Sequence, residues 1–153
     1  MANTYTQLYA QLVFSPRGRA NLITKNIKEE VHKYIIGVIK GCNQKPMIIN
    51  GMPDHIHILI GFQPNISLSD LVRDIKANTT NYINKNKLTR NKFMWQRGFG
   101  AFTYSKSQIP RVIKYINEQE EHHKRRTFQQ EYLELLNKFE IEFKNKYLFE
   151  FYD

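Results

Sequence analysis

Between Thr6 and Phe14 apolar side chains partly alternate with polar ones, and the run stops at Ser15-Pro16-Arg17-Gly18. That pattern predicts a strand closed by a turn. Ile27, Val31, Tyr34, Ile35, Val38, Ile39 and Cys42 then recur at helical spacing, with Gly41 near the end of the run, which predicts an amphipathic helix. Met47–Asn50 and His55–Phe62 read as two strands joined by Gly51-Met52-Pro53-Asp54, a hairpin. Ser67 and Asp70 form a capping-box-like start to a second helix carried by Leu71, Val72, Ile75, Tyr82 and Ile83. After a loop containing Trp95-Gln96-Arg97-Gly98, Phe99–Tyr104 predicts a fourth strand. Ser107 is placed to cap a third helix with Pro110 in its first turn and Ile109, Val112, Ile113 and Ile116 as its buried stripe. A further helix is expected from Phe128 to Phe139, followed by an extended aromatic tail, Tyr147 to Tyr152.

The order β-α-β-β-α-β followed by helices predicts an α+β fold of the split βαβ, ferredoxin-like kind. Its antiparallel sheet is expected to have four to five strands, with helices mainly on one face and C-terminal helices added. The other face is expected to be free for a ligand or a partner subunit. No linker, low-complexity stretch or repeat divides the 153 residues, so residues 1–153 read as one domain.

Composition narrows the function classes. The apolar runs are strand-length, too short to span a bilayer. Met1-Ala2-Asn3-Thr4 has no basic or apolar signal character, and the single cysteine, Cys42, excludes an internal disulfide, so a cytoplasmic protein is expected. The net charge of +9 points to a polyanionic partner such as nucleic acid. An aromatic share of 13% adds rings that can stack on unpaired bases.

His55-Ile56-His57 carries the most chemistry. Alternation along a strand turns both imidazoles to one face, about 7 Å apart, while Ile56, Ile58, Ile60 and Phe62 anchor the other. Such a pair fits a divalent cation, and it equally fits two hydrogen-bonded histidines. Asp54 can orient an imidazole or simply form the turn. On the third helix Tyr115, Gln119 and His122 fall at i, i+4 and i+7 along one edge of the apolar stripe. A phenol and a carboxamide there can serve as nucleophile and ligand, or Tyr115 can be a boundary residue with a hydrogen-bonded hydroxyl. The run His122-His123-Lys124-Arg125-Arg126 suits a helix C-terminus and can also meet phosphates.

Together these strings resemble one family. Met52–Ile60, Trp95–Phe102 and Val112–His123 are similar, in order, to the histidine-hydrophobe-histidine strand, fourth strand and tyrosine helix of the single-tyrosine transposases of the insertion sequence 200/605 group. The resemblance implies that His55, His57 and Gln119 hold Mg²⁺ or Mn²⁺, and that Tyr115 attacks single-stranded DNA to give a 5′-phosphotyrosine. It further implies a homodimer, with the tyrosine helix able to complete the partner's histidine site, that recognises DNA hairpins at element ends. Arg17, Arg19, Lys76 and Arg97 are the candidate phosphate contacts, and Trp95 or Phe99 candidate stacking rings. Tyr104 and Tyr132 are the next candidates for the nucleophile. Competing readings are a non-catalytic RNA-binding module of the same fold, a relaxase or replication initiator, and a purely hydrolytic metal nuclease.

Overall fold

In the computed structural model, which describes residues 3–152, four strands form one antiparallel sheet: β1 (Tyr9–Phe14), β2 (Lys45–Met52), β3 (His55–Gly61) and β4 (Gly100–Thr103). Their order is β2-β3-β1-β4, so the expected split βαβ arrangement is present, with four strands. Helices α1 (Lys25–Gly41) and α2 (Leu68–Lys85) make the two crossovers. Strand alternation explains how they bind. Ala10, Leu12 and Phe14 stand opposite Ile60, Ile58 and Ile56. All six are buried in one core with Val31, Ile35 and Ile39 of α1 and Leu71, Val72 and Ile75 of α2. Ser67 caps α2 by accepting from the Asp70 amide at 3.1 Å.

The other sheet face is covered, contrary to the sequence expectation. Helices α3 (Ile109–Asn117), α4 (Gln119–His122) and α5 (Phe128–Lys138) lie over it. Leu59 of β3 packs with Ile109, Val112 and Ile116 of α3. Phe102 of β4 meets Phe139 just beyond α5 at 4.9 Å. The C-terminal segment closes the same layer: Phe149 is buried against Phe128 and Tyr132, and the Tyr152 hydroxyl accepts from the Gly18 amide at 2.7 Å. The aromatic tail therefore packs on its own chain.

Three local details differ from the sequence reading. The strands run closer together, leaving only Pro53 and Asp54 between β2 and β3. Gly51 permits this, because a Cβ there would stand 2.2 Å from the His55 carbonyl oxygen. Ser105, rather than Ser107, starts the third helical region through a capping box with Gln108, and α3 begins at Ile109. The third helix also breaks at Glu118. Asn50 of β2 donates there to the Ile116 and Asn117 carbonyls at 2.9 and 3.1 Å, satisfying the end of α3.

Candidate active site

β3 points His55 and His57 at the α3–α5 layer, where they are 2% and 0% exposed. Each imidazole is held at its Nδ1 edge. His55 Nδ1 lies 2.7 Å from Asp54 Oδ1, and its ring stacks on Phe128 at 4.0 Å. His57 Nδ1 lies 2.8 Å from the Gln11 amide nitrogen, and the Gln11 carbonyl accepts from the Tyr104 hydroxyl at 2.5 Å. Gln119 reaches the same place from α4, with Oε1 2.9 Å from His55 Nε2.

Both Nε2 atoms face a residue the sequence reading missed, Glu131 of α5, which is fully buried. Its Oε1 lies 3.2, 3.0 and 3.0 Å from Nε2 of His55, His57 and His123. Its Oε2 accepts from the Gln119 amide at 3.0 Å and from the Tyr115 hydroxyl. One carboxylate thus divides its oxygens between the imidazoles and the phenol. Tyr115 also accepts from Arg126 Nη2 at 2.9 Å, and its ring packs against His57 and His122. The Tyr115 hydroxyl and the two strand histidines of one chain therefore meet one group.

Protonation follows from this packing. Burial pulls His55 down, but hydrogen bonds to Asp54 and Glu131 outweigh it and raise it to about 9. Burial keeps His57 below its ordinary value. Burial would push the Glu131 carboxyl up, yet the surrounding imidazoles hold it well below the usual carboxylate range. Burial, then the Glu131 charge, push Tyr115 above the ordinary tyrosine range, with Arg126 opposing them. The alternative tyrosines are placed differently. Tyr104 is occupied with Gln11 and Tyr132 is packed among Phe128 and Phe149. Burial raises both to about 12.

These residues fit a divalent cation. His55, His57 and Glu131 each offer a ligand atom within 4.8 Å of the others. Neighbouring ligands about 2.1 Å from a common ion stand about 3 Å apart, the spacing seen between Glu131 Oε1 and the imidazoles. Ligation through Nε2 requires a proton on Nδ1. With a metal bound, Asp54 would accept that proton from His55, and the Gln11 amide would turn over from the orientation above to accept it from His57, its NH₂ then donating to the Tyr104 oxygen.

The candidate phosphate contacts fare unequally. Arg17, Arg19 and Arg97 are exposed. Lys76 is engaged within the chain: its ammonium donates to the Gln96 and Gly98 carbonyls at 2.9 and 2.7 Å, tying down the 96–98 loop. Burial lowers it to about 8. Trp95 departs from the expected stacking role, since it is buried edge-on between Phe14 and Phe93. Phe99 is partly buried, on the wall of a 580 Å³ groove with Arg73 and Arg97.

The fold thus sets a histidine pair on a central strand and brings a tyrosine over it from a later helix. Residues 4–119 match the family described as "Transposase IS200 like", and the chain belongs to that family. No curated protein matches the chain. Among solved structures, a candidate transposase from Deinococcus radiodurans R1 is 15% identical, with a TM-score of 0.60 over 76% of this chain and 94% of its own. A REP-associated tyrosine transposase bound to a REP hairpin is 16% identical, with a TM-score of 0.60 over 79% of this chain and 72% of its own. Arg126 and Glu131 lie beyond the family-matched residues. Among the described residues, no helix is long and apolar enough to cross a membrane.

Proposed function

We propose that the chain cleaves and rejoins single-stranded DNA through a covalent link to Tyr115. The observation that carries this reading is the convergence of the Tyr115 hydroxyl, both strand imidazoles and Gln119 on one buried carboxylate. A divalent cation held by His55, His57 and Gln119, with Glu131 as a further donor, would supply charge neutralisation at the scissile phosphate; imidazole favours Mn²⁺ and cellular supply favours Mg²⁺. The protein's own residues do the rest. Packing against His57 and His122 fixes the phenol, and its hydrogen bond to Glu131 orients the O–H. The Tyr115 oxygen bonds to phosphorus as the bond from phosphorus to the 3′ oxygen breaks, giving a 5′-phosphotyrosine and a free 3′-hydroxyl. The ester conserves the bond, so a second 3′-hydroxyl can rejoin without ATP.

Hairpins at element ends are the substrate we favour, in line with the REP hairpin bound by one structural neighbour. One nucleophilic tyrosine per chain and two element ends favour a homodimer, each subunit serving one end as a single catalytic unit. Exposed Arg17, Arg19 and Arg97 are proposed to hold backbone phosphates. A base-stacking RNA-binding module is disfavoured, because α3–α5 cover the sheet face such a module leaves open. The test uses 3′-labelled, hairpin-containing single-stranded oligonucleotides spanning the flanks of the coding sequence. With Mn²⁺ the wild type should yield a labelled protein band on a denaturing gel, lost with chelator and in Tyr115→Phe. No band with the wild type, or an undiminished band with Tyr115→Phe, overturns the proposal.

A further inference from the structure

Arg126 lies outside the family-matched residues, yet its guanidinium touches the atom that would react. Nη2 donates to the Tyr115 oxygen at 2.9 Å, and the guanidinium carbon stands 5.9 Å from the centre of that ring. Nη1 is anchored on Glu134, and the Glu131 carboxylate is 3.9 Å from Nη2. The fork is therefore held between an exposed carboxylate and the phenol, with its side chain 24% exposed. It lines two clefts. One, of 290 Å³, contains Tyr115, Arg111, Lys138 and Glu131; the other, of 470 Å³, contains Asp54 and His123. A phosphate entering the first cleft towards Tyr115 would meet this guanidinium.

We infer that Arg126 is a catalytic residue that stabilises the Tyr115 oxygen as it becomes the nucleophile, then holds the phosphoryl oxygens of the phosphotyrosine; this rests on the reaction proposed above. The geometry separates two jobs on one oxygen. The phenol donates its own hydrogen to Glu131 and accepts one from Arg126, so the proton is aimed away from the guanidinium. As the Tyr115–phosphorus bond forms and the bond to the 3′ oxygen breaks, the phenolic proton leaves through the hydrogen bond to Glu131. From Glu131 that proton passes to solvent, and the departing 3′ oxygen takes one proton back from solvent, so the two transfers cancel and Glu131 ends as the carboxylate. Negative charge then sits on the phosphoryl oxygens beside a buried carboxylate, where a fixed guanidinium has its greatest effect. Arg suits the place better than Lys because its planar fork can keep Glu134 with one arm and reach the phenol or a phosphate oxygen with the other.

The test compares wild type, Arg126→Gln, Arg126→Lys, Arg126→Gly and Tyr115→Phe in single-turnover formation of the covalent DNA adduct. Removal of one such donor from a preorganised site typically costs about 10²–10³ in rate, and that loss is expected for Arg126→Gln. Its Mn²⁺ and hairpin affinities should stay within about threefold of wild type, a split that a merely structural arginine would not give. Millimolar guanidinium ion should restore Arg126→Gly at least about tenfold and leave Tyr115→Phe inactive. Should Arg126→Gln fail to fold, Arg126→Lys decides, with a fall of about tenfold or more expected. Adduct formation within threefold of wild type in Arg126→Gln, or at full rate in Arg126→Lys, overturns the inference while leaving the tyrosine reaction standing. Failure of the wild type to form an adduct instead removes the reaction itself.

Discussion

Replacing Glu131 by Gln keeps the shape of the side chain and removes the charge on which the site converges. The amide has one acceptor oxygen for donors arriving from Tyr115, Gln119 and three imidazoles. Its NH₂ must face either the imidazoles or the Gln119 amide, so donors are set against donors. In metal-free protein His55 is raised to about 9 by Asp54 and Glu131 together. Against an unfolded histidine near 6.5, that bound proton is worth about 2–3 kcal/mol at pH 7, of which Asp54 retains a share in the variant. Adding about 1 kcal/mol for lost hydrogen bonds gives an expected cost of about 2–3 kcal/mol, or about 4–12 °C in Tm for a chain of this size. The sign is testable. A raised histidine stabilises fully below its unfolded value and loses that contribution as pH rises through about 9, so the gap between wild type and variant should narrow in alkali. Thermal unfolding in chelator at pH 7 and pH 9.5 measures it, and added Mn²⁺ should raise the Tm of the wild type more than that of the variant. Equal Tm values at pH 7, or a gap that widens in alkali, would refute the reasoning.

Other perturbations test other parts of the structure. Gly51→Ala places a Cβ 2.2 Å from the His55 carbonyl oxygen and should cost about 2 kcal/mol or more in urea unfolding; an unchanged midpoint would contradict the tight hairpin. His32, buried on α1, is lowered to about 4 by burial and then by Lys28. The unfolded chain therefore binds its proton first, and stability should fall from pH 6.5 towards 4 by at most about 3 kcal/mol. His32→Gln should flatten that limb in chelator, and a limb of undiminished slope would exclude His32 as its source. Lys76→Met keeps an apolar side chain of similar length but removes the ammonium, with its bonds to the Gln96 and Gly98 carbonyls and its contact over the Phe14 ring, so amide exchange in residues 96–98 should rise about tenfold; unchanged exchange would leave the lysine without a holding role.

Much of this architecture is legible in the residues because local periodicities carry it. The α1 and α2 stripes, and the alternation that sets His55 and His57 opposite Ile56 and Ile58, need only the neighbouring sequence. The covering of the second sheet face is a long-range event, decided by how the apolar edges of α3 and α5 find β3 and β4. Glu131 was hidden for the same reason, although one signal was present. It sits on the buried stripe Phe128, Glu131, Tyr132, Leu135 and Leu136, where an acid is out of place unless something pairs with it. Gln11 carries a similar signal within an otherwise apolar strand. Nothing in the pattern distinguished Lys76 from the other lysines, because its partners are carbonyls of a loop whose path only the fold sets. Trp95 was misjudged because a loop tryptophan and a buried one look alike in sequence.

The central claim is that Tyr115, and no other side chain, becomes bonded to DNA beside the histidine pair. Protease digestion and mass spectrometry of the protein after reaction with single-stranded hairpin DNA and Mn²⁺ read this directly. The account predicts a nucleotide-linked peptide containing Tyr115 that disappears with chelator and in His57→Ala; a linkage at Tyr104 or Tyr132, or one formed equally well in chelator, would contradict it.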